Sequence, residues 1–569
     1  MATPREILAE RLKLALPGSF PEVIPEVAPA TDPRFGDYQT NVAMVLAKKQ
    51  RTAPRELARQ IVGALDVRDI SEPPQIEGAG FINFRLTADF LDQGVRAAFH
   101  DQRLGVGLIE RPGRIIIDFS SPNVAKPMHV GHIRSTILGD CLSRVARFLG
   151  HEVITDNHVG DWGTQFGRVI YGWKHLLDEA ALERNAIHEL VRLYREVTAM
   201  EKTDDSVRQA AREELVRLQS GDAENLAIWR QAVELSWREF QKLYDLLGIR
   251  FDERLGESAY NDALAGLCDR LAAEGIAERS EGALCIFFRE IPQLADKPLI
   301  IRKSDGGFLY ATTDLATIEY RVRRWNPSAI WYVVGAPQAL HFQQIFAAAR
   351  RMGVSGDLQH IAFGSILGED RKIMRTRSGE TVGLTELLDE AIERARAIVA
   401  EKRPDLDFAD TEGISRAIGL GAVKYAELSQ HRMTDYVFSW GKMLSFQGNT
   451  APYLQNAYVR IRSIFRKMEG DFTAPAKLNL QNPEERALAA KLLRFGEIVP
   501  LVLEDFRPNL LANYLYDVAI VFHAFYEACP VLKADRSELR DSRLVLCDVS
   551  ARVLQTGLGL LGIEAPERM

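Results

Sequence analysis

The stretch RIIIDFSSPNVAKPMHVGHIRSTILGDCLSRVARFLG, residues 114–150, decides the fold. It opens on the apolar run Ile115-Ile116-Ile117, followed by the loop Ser120-Ser121-Pro122-Asn123; a short apolar run bounded by turn-forming residues reads as a buried strand. Beyond the loop, Ile133, Ile137, Cys141, Val145 and Leu149 recur at helical spacing, and Gly150 supplies a C-terminal stop. A second strand is predicted near Val153-Ile154. Strand, loop, helix and strand in this order begin a parallel, doubly wound nucleotide-binding sheet.

Upstream, residues 1–110 alternate helical patterns with short strands. Among them Gly78-Ala79-Gly80-Phe81-Ile82-Asn83-Phe84 reads as a turn entering a strand, so a separate small α+β domain is expected. Downstream, residues from about 172 to 250 are charged helix rich in Glu, Arg and Leu, a helical insertion in the α/β rhythm. The sheet resumes at Leu299-Ile300-Ile301-Arg302, turns through Ser304-Asp305-Gly306-Gly307 and is expected to continue as a strand around Leu309-Tyr310-Ala311. Ile330-Trp331-Tyr332-Val333-Val334 is a further strand. A basic loop, Arg371 to Arg377, leads into an amphipathic helix carrying Leu387, Leu388, Ala391, Ala395 and Val399. From Glu412 to Met569 only helices are expected. The fold class is multidomain α/β: an N-terminal α+β domain over 1–110, a Rossmann-type catalytic domain with its helical insertion over 111–400, and an all-helical domain over 401–569.

With 569 residues, 46% of them hydrophobic, the chain can bury several cores. It opens without an apolar signal region and holds no apolar run of bilayer-crossing length, so a cytoplasmic protein with no membrane partner is expected. The five cysteines, Cys141, Cys268, Cys285, Cys529 and Cys547, are scattered without a C-x-x-C pair, which indicates neither a disulfide framework nor a structural zinc. A net charge of −7 argues against nonspecific adhesion to polyanions but leaves room for a local nucleic-acid surface. Beyond residue 412 acidic and basic residues nearly balance. There Arg460, Arg462, Arg466 and Lys467 follow Tyr453 and Tyr458, a mixture suited to phosphate and base contacts, although these residues taken alone favour a solvated helix face.

The strongest chemical signal is His129-Val130-Gly131-His132, in a loop after a strand and running into a helix. Helix N-terminal amides attract phosphate, glycine permits close backbone approach, and two imidazoles add hydrogen bonds to phosphoryl oxygens. Two histidines near a helix start are by themselves ordinary polar groups. Their position at the carboxyl end of the first strand of an α/β sheet, where ligands bind, favours an ATP site.

Residues 120–135, from Ser120 through Lys126, His129 and His132 to Ser135, resemble the extended HIGH signature of arginyl-tRNA synthetases. Further similarity lies in residues 157–167 (NHVGDWGTQFG), in Gly256-Glu257-Ser258, in residues 447–453 (QGNTAPY) and in the closing residues 562–569 (GIEAPERM), so the resemblance spans nearly the whole chain. It implies an arginine–tRNA ligase of class I. The arginine carboxylate attacks the α-phosphorus of ATP, pyrophosphate leaves with Mg²⁺ offsetting phosphate charge, and the adenylate passes to the 2′-hydroxyl of the terminal adenosine of tRNA-Arg.

The resemblance also implies roles. Asp314 and Glu257 would hold the guanidinium, whose planar fork is best met by bidentate carboxylates, and Tyr310 would pack on the substrate side chain. Asn123 and Gln338 match positions that hold the amino acid's polar end, with Asp118 beside them. Read from the residues alone, Asp314 is a helix N-cap, Glu257 a surface acid, Tyr310 a core residue and Gln338 a loop polar group. His129, Gly131 and His132 would bind ATP. The KMSKS loop that should supply phosphate-binding cations is degenerate: over residues 372–379, Lys372, Arg375 and Arg377 remain, and Lys126 matches a lysine thought to compensate in this family. The expected partners are L-arginine, ATP and tRNA-Arg, with Mg²⁺ carried by ATP, no protein-held metal, and activation dependent on tRNA. The N-terminal domain would grip the tRNA elbow through Phe81 and Asn83, and the helical domain would read the anticodon through Tyr453, Tyr458 and Arg462. A monomer is expected.

Competing readings lack their own marks. A cysteinyl synthetase would want zinc-binding cysteines, a valyl or leucyl one a large editing insertion, and a small nucleotidyltransferase would leave both terminal regions without a role. A noncatalytic tRNA-binding paralogue would need none of His129, His132, Asn123, Asp314 and Gln338.

Overall fold

The computed structural model describes residues 2–16, 23–368, 370–372, 374, 382–470 and 472–569. The chain forms two compact units, one of residues 1–109, 398–429 and 442–569, the other of residues 110–397 and 430–441.

The second unit is built on the sheet begun by residues 114–150. Its framework runs β1 (Arg114–Asp118), α1 (Val130–Phe148), β2 (Glu152–Asp156), α2 (Ala223–Leu247), α3 (Tyr310–Trp325), β3 (Ala329–Tyr332), α4 (Ala339–Arg351) and β4 (Asp357–His360). The sheet order is β4-β3-β1-β2, with every pair parallel. Ile115, Ile116 and Ile117 are all buried, as a strand covered on both faces requires. The register sets His360, Tyr332, Asp118 and Asp156 in one row at the carboxyl edge. The chain leaves β1 for β2 on one side and later returns to β3 on the other. β1 and β3 therefore flank the switch point at which open α/β sheets bind ligands.

Between β2 and α3 lie the helical insertion and a three-stranded antiparallel sheet of Glu278–Ser280, Ala283–Ile286 and Leu299–Arg302. The insertion's helices begin at Gln165 and end with α2, which buries Ile228, Ala232, Ser236, Phe240, Leu243, Tyr244 and Leu247 along one face. The strand expected around Tyr310 is instead the start of α3: Phe308 bridges back to Arg302, Leu309 is extended, and the helix begins at Tyr310. Three apolar residues carry no period of their own. The helix is set by the residues after them, since Thr312, Leu315, Ala316 and Ile318 are all buried at helical spacing.

The expectation of helices alone beyond Glu412 also fails at one place. Tyr436–Val437 is a short strand paired in parallel with Ile366–Leu367, in a segment that belongs to the catalytic unit.

In the first unit a four-stranded antiparallel sheet, ordered Ala28–Pro29, Tyr38–Thr40, Phe81–Phe84 and Gln75–Glu77, packs with helices from both ends of the chain. The Tyr38 hydroxyl donates to Glu497 Oε1 at 2.8 Å, Leu478 N donates to Asp92 Oδ1 at 2.8 Å, and Arg552 Nη1 donates to the Phe99 carbonyl at 2.6 Å. Hydrogen bonds thus tie the N-terminal sheet and its following helix, Ala88–His100, to the C-terminal region.

Candidate active site

The loop after β1 delivers two histidines to the start of α1. The His129 ring accepts a hydrogen bond from Gly131 N through Nδ1 at 3.1 Å, and the His132 ring accepts one from His129 N through Nδ1 at 3.1 Å. A backbone amide only donates, so Nδ1 is unprotonated in both rings. Burial, reinforced by the Lys126 charge, lowers the His129 pKa, and burial with the His129 charge drives that of His132 down to about 4. At neutral pH both rings are uncharged and carry their proton on Nε2, two donors beside the amide end of a nineteen-residue helix. Gly131 makes this reciprocal capping possible, because a Cβ there would lie 2.9 Å from the His129 ring.

The same loop is held in an unusual backbone shape. Ser120, Ser121 and Ala125 have φ of 71°, 44° and 59°, a region that costs a non-glycine residue about 1 kcal/mol or more. A polar network fixes it. The Ser120 hydroxyl bonds Tyr244 of α2 at 2.9 Å and accepts from Thr136 at 2.8 Å; Ser121 N donates to Asn157 Oδ1 at 3.1 Å, and Asn157 Nδ2 donates to the Tyr244 hydroxyl at 2.9 Å. Asn123 stays exposed, bridged to Gly160 in the loop after β2. A Cβ at Gly160 would come 2.4 Å from Asn123 Oδ1 and displace that amide, so glycine lets the Asn123 side chain lie against the loop.

From Gly160 the chain of contacts runs to the acidic end of the site. Glu257 N bonds the Val159 carbonyl at 3.1 Å, and Asp161 accepts from Ser258 N at 2.8 Å and from the Ser258 hydroxyl at 2.7 Å. Burial, with the charges of Asp161 and Asp314 adding to it against the opposing His158, raises the Glu257 pKa to about 7. Burial raises Asp161 as well. Glu257 thus lies within electrostatic reach of both Asp314 and Tyr310. Tyr310 and Asp314 lie four residues apart on one face of α3, and the Tyr310 ring is 64% exposed at the helix start, open to a ligand. His341 Nε2 lies 2.5 Å from Asp314 Oδ2. Gln338 is exposed directly before α4, in the connection that leaves β3.

Asp118 departs from expectation. Its carboxylate is 5% exposed and committed within the fold: Oδ2 accepts from Arg321 Nη2 at 2.6 Å and Oδ1 from the Ser121 hydroxyl at 3.0 Å. The same Arg321 nitrogen donates to Asp156 Oδ2 at 2.7 Å. Through Arg321, Asp118 braces the ends of β1 and β2, a pairing that spacing in the sequence does not reveal.

Of the phosphate-side cations, Lys126 is exposed, its Nζ 5.8 Å from the centre of the Tyr194 ring. Lys372 is exposed in a turn closed by Gly368 N on its carbonyl at 2.8 Å. Arg375 and Arg377 lie outside the described residues. The chain re-enters beside the histidines: Val130 N bonds the Val382 carbonyl at 3.0 Å, and Leu384 N bonds the Met128 carbonyl at 2.9 Å. Residues 382–384 thus pair with residues 128–130 at the start of α1.

Several RNA-facing expectations change in the first unit. Phe81 is half-buried, but Asn83 is buried in a strand flanked on both sides, so its amide is not offered to a base. Tyr458 is buried and its hydroxyl donates to Glu567, which also pairs with Arg462 Nε at 3.2 Å. Tyr453 is half-buried, its hydroxyl 2.8 Å from His523 Nδ1. A cavity of about 360 Å³ opens nearby, lined by Ser463, Ile464, Lys467, Tyr526 and residues 530–533, with two lysines and an aromatic face.

Among the described residues no group of three or more His, Cys, Asp or Glu side chains is placed to hold a metal ion, and no helix is long and apolar enough to cross a membrane.

Three family models match the chain: tRNA synthetases class I (R), catalytic domain, over residues 95–440; the DALR anticodon binding domain over 454–569; and the arginyl tRNA synthetase N terminal domain over 3–86. The chain belongs to the arginyl-tRNA synthetase family. It is similar to the arginine–tRNA ligase of Thermobifida fusca, 47% identical with 100% of both chains covered, and to that of Cellvibrio japonicus, 46% identical over 99% of each. Among solved structures, the arginyl-tRNA synthetase of Plasmodium falciparum aligns with a TM-score of 0.86 at 30% identity, covering 100% of both chains. That of Thermus thermophilus aligns at 0.85 and 29%, covering 99% of this chain and 100% of the other. Membership in the arginyl-tRNA synthetase family makes the chain a class I aminoacyl-tRNA ligase.

Proposed function

We propose that the site at the β1/β3 switch point activates L-arginine with ATP and transfers it to the 2′-hydroxyl of the terminal adenosine of tRNA-Arg. The observation that carries this reading is the electrostatic coupling of Glu257 to both Asp314 and the exposed Tyr310, in the unit whose first strand-loop-helix carries the histidine pair. Two carboxylates suit a guanidinium, and an aromatic face covers an aliphatic stem or the guanidinium plane.

In the first step an arginine carboxylate oxygen bonds the α-phosphorus as the bond to the bridging oxygen breaks, and pyrophosphate leaves. The neutral His129 and His132 donate from Nε2 to the phosphoryl oxygens, needing no proton transfer. Asn123 and Gln338 hold the amino acid's polar end, so positioning supplies much of the acceleration. Lys126, Lys372, Arg375 and Arg377 supply positive charge at the phosphates, and Mg²⁺ enters with ATP. In the second step the 2′-hydroxyl attacks the adenylate carbonyl and AMP leaves. The divided cation set is completed only when tRNA binds, which makes activation dependent on tRNA. The N-terminal α+β region takes the tRNA elbow and the helical region its anticodon, an unstacked base entering the cavity beside Lys467, Tyr526 and Lys533. The enzyme works as a cytoplasmic monomer without a protein-held metal.

The test is Asp314→Ala. A raised arginine KM with ATP affinity kept supports the reading, and an unchanged arginine KM excludes Asp314 from the pocket.

A further inference from the structure

We infer that His341 is a positioning residue that sets arginine specificity by fixing Asp314 relative to Gln338. The inference rests on the assignment of Asp314 to the substrate guanidinium.

Asp314 stands on α3, one turn beyond Tyr310, and faces the field of a second acid, Glu257. Two acids in one pocket repel, and a short side chain on a helix has rotamers that turn away. Among the described residues one hydrogen bond opposes that: His341 Nε2 at 2.5 Å from Asp314 Oδ2. A carboxylate oxygen at this distance is an acceptor, so Nε2 carries the proton and donates. Both side chains are only about a quarter exposed, at 28% and 24%. The bond is sheltered yet reachable by a ligand, and one oxygen of Asp314 remains for the substrate.

The other end of the contact gives it meaning. His341 is the third residue of α4, and Gln338 stands one turn before it on the same helical path. The start of α4 is itself fixed. The His341 ring meets Phe342 edge to face at 5.6 Å between centroids, and Phe342 packs on Tyr332 at 5.0 Å and stacks on His360 at 4.6 Å. Tyr332 and His360 close β3 and β4 in the strand-end row. His341 therefore ties the guanidinium end of the pocket to the element bearing Gln338, the holder of the amino acid's polar end. The span between those two ends measures side-chain length and separates arginine from a homologue longer by one methylene or from lysine.

The experiment is steady-state kinetics of His341→Ala, His341→Gln and Asp314→Asn with arginine, homoarginine and lysine. Loss of one charge-assisted hydrogen bond predicts an arginine KM raised about tenfold or more in His341→Ala. ATP KM should stay unchanged, kcat should fall less than KM rises, and discrimination against homoarginine should shrink. His341→Gln, whose amide nitrogen reaches the Nε2 position, should restore most of the arginine KM and the discrimination. An arginine KM in His341→Ala equal to wild type, while Asp314→Asn raises it, overturns the positioning role alone. Equal failure of the Ala and Gln variants overturns it too, because it shows a packing role. A wild-type arginine KM in Asp314→Asn overturns the pocket assignment beneath it.

Discussion

Arg321 and Asp156 form an ion pair with no solvent access to either side chain, 2.7 Å between Nη2 and Oδ2, beneath the edge where the substrate site opens. The guanidinium also binds Asp118 and lies 5.4 Å from the centre of the Tyr332 ring. Burial opposes its charge, but Asp118, Tyr332 and Asp156 outweigh that and keep Arg321 protonated. One arginine of the chain thus ties the ends of β1 and β2 to α3, the helix that carries Tyr310 and Asp314.

Removing that arginine strands two buried carboxylates. Arg321→Leu should destabilise the catalytic unit by about 3 kcal/mol or more, read as a lower urea midpoint for its unfolding transition. An unchanged midpoint would show that the pair contributes nothing to the fold.

Glu257 should make arginine affinity depend on pH. Its pKa is raised to about 7 in the free site, and a guanidinium needs the ionised form. Below pH 7 arginine must displace a proton, so its KM should rise by about tenfold per pH unit as pH falls and level off above pH 8. Glu257→Gln should bind arginine more weakly and lose this dependence. A flat wild-type profile from pH 6 to 8.5 removes Glu257 from the pocket.

The histidines should leave no titration near their ordinary range. Because burial holds His132 at about 4 and lowers His129 as well, the maximal exchange rate at saturating arginine should show no titration of His132 from pH 8 to 6. His132→Ala should lose about a hundredfold in that rate, as does removal of a transition-state donor elsewhere. A fall in rate centred near pH 6.5 that persists in Glu257→Gln and disappears in His132→Ala contradicts neutral histidines.

The cavity proposed to take an RNA base beside Lys467 offers two kinds of contact to test. Lys467→Ala should weaken tRNA binding and reduce the salt slope by about one phosphate contact. Tyr526→Ala should weaken it by about tenfold with the slope kept, since stacking releases no counterions. Arg462→Ala should do less than Lys467→Ala, because Arg462 is already paired with Glu567. Wild-type affinity in both cavity variants would move the anticodon contact elsewhere.

The sheet and the histidine loop were legible because period and punctuation agree there: three isoleucines, a Ser-Ser-Pro-Asn loop and a helical stripe closed by Gly150, whose φ is 101°. Tyr310 reads as a strand residue because local propensity says little over three residues, and the buried face of α3 lies beyond it. Asp118 looks like a ligand at a strand end, but its partner Arg321 is 203 residues away, and long-range pairing of charges leaves no trace in spacing. Tyr458 and Asn83 have suitable chemistry, and burial, which depends on tertiary packing, withdraws them. His341 escapes notice for the same reason: a single histidine on a helix acquires significance only beside Asp314.

The most direct test of the central claim is ATP–pyrophosphate exchange with each amino acid in turn, with and without tRNA. Exchange with arginine alone, and only when tRNA is present, is the predicted result. Robust exchange with another amino acid, or none with arginine in the presence of tRNA, would contradict it.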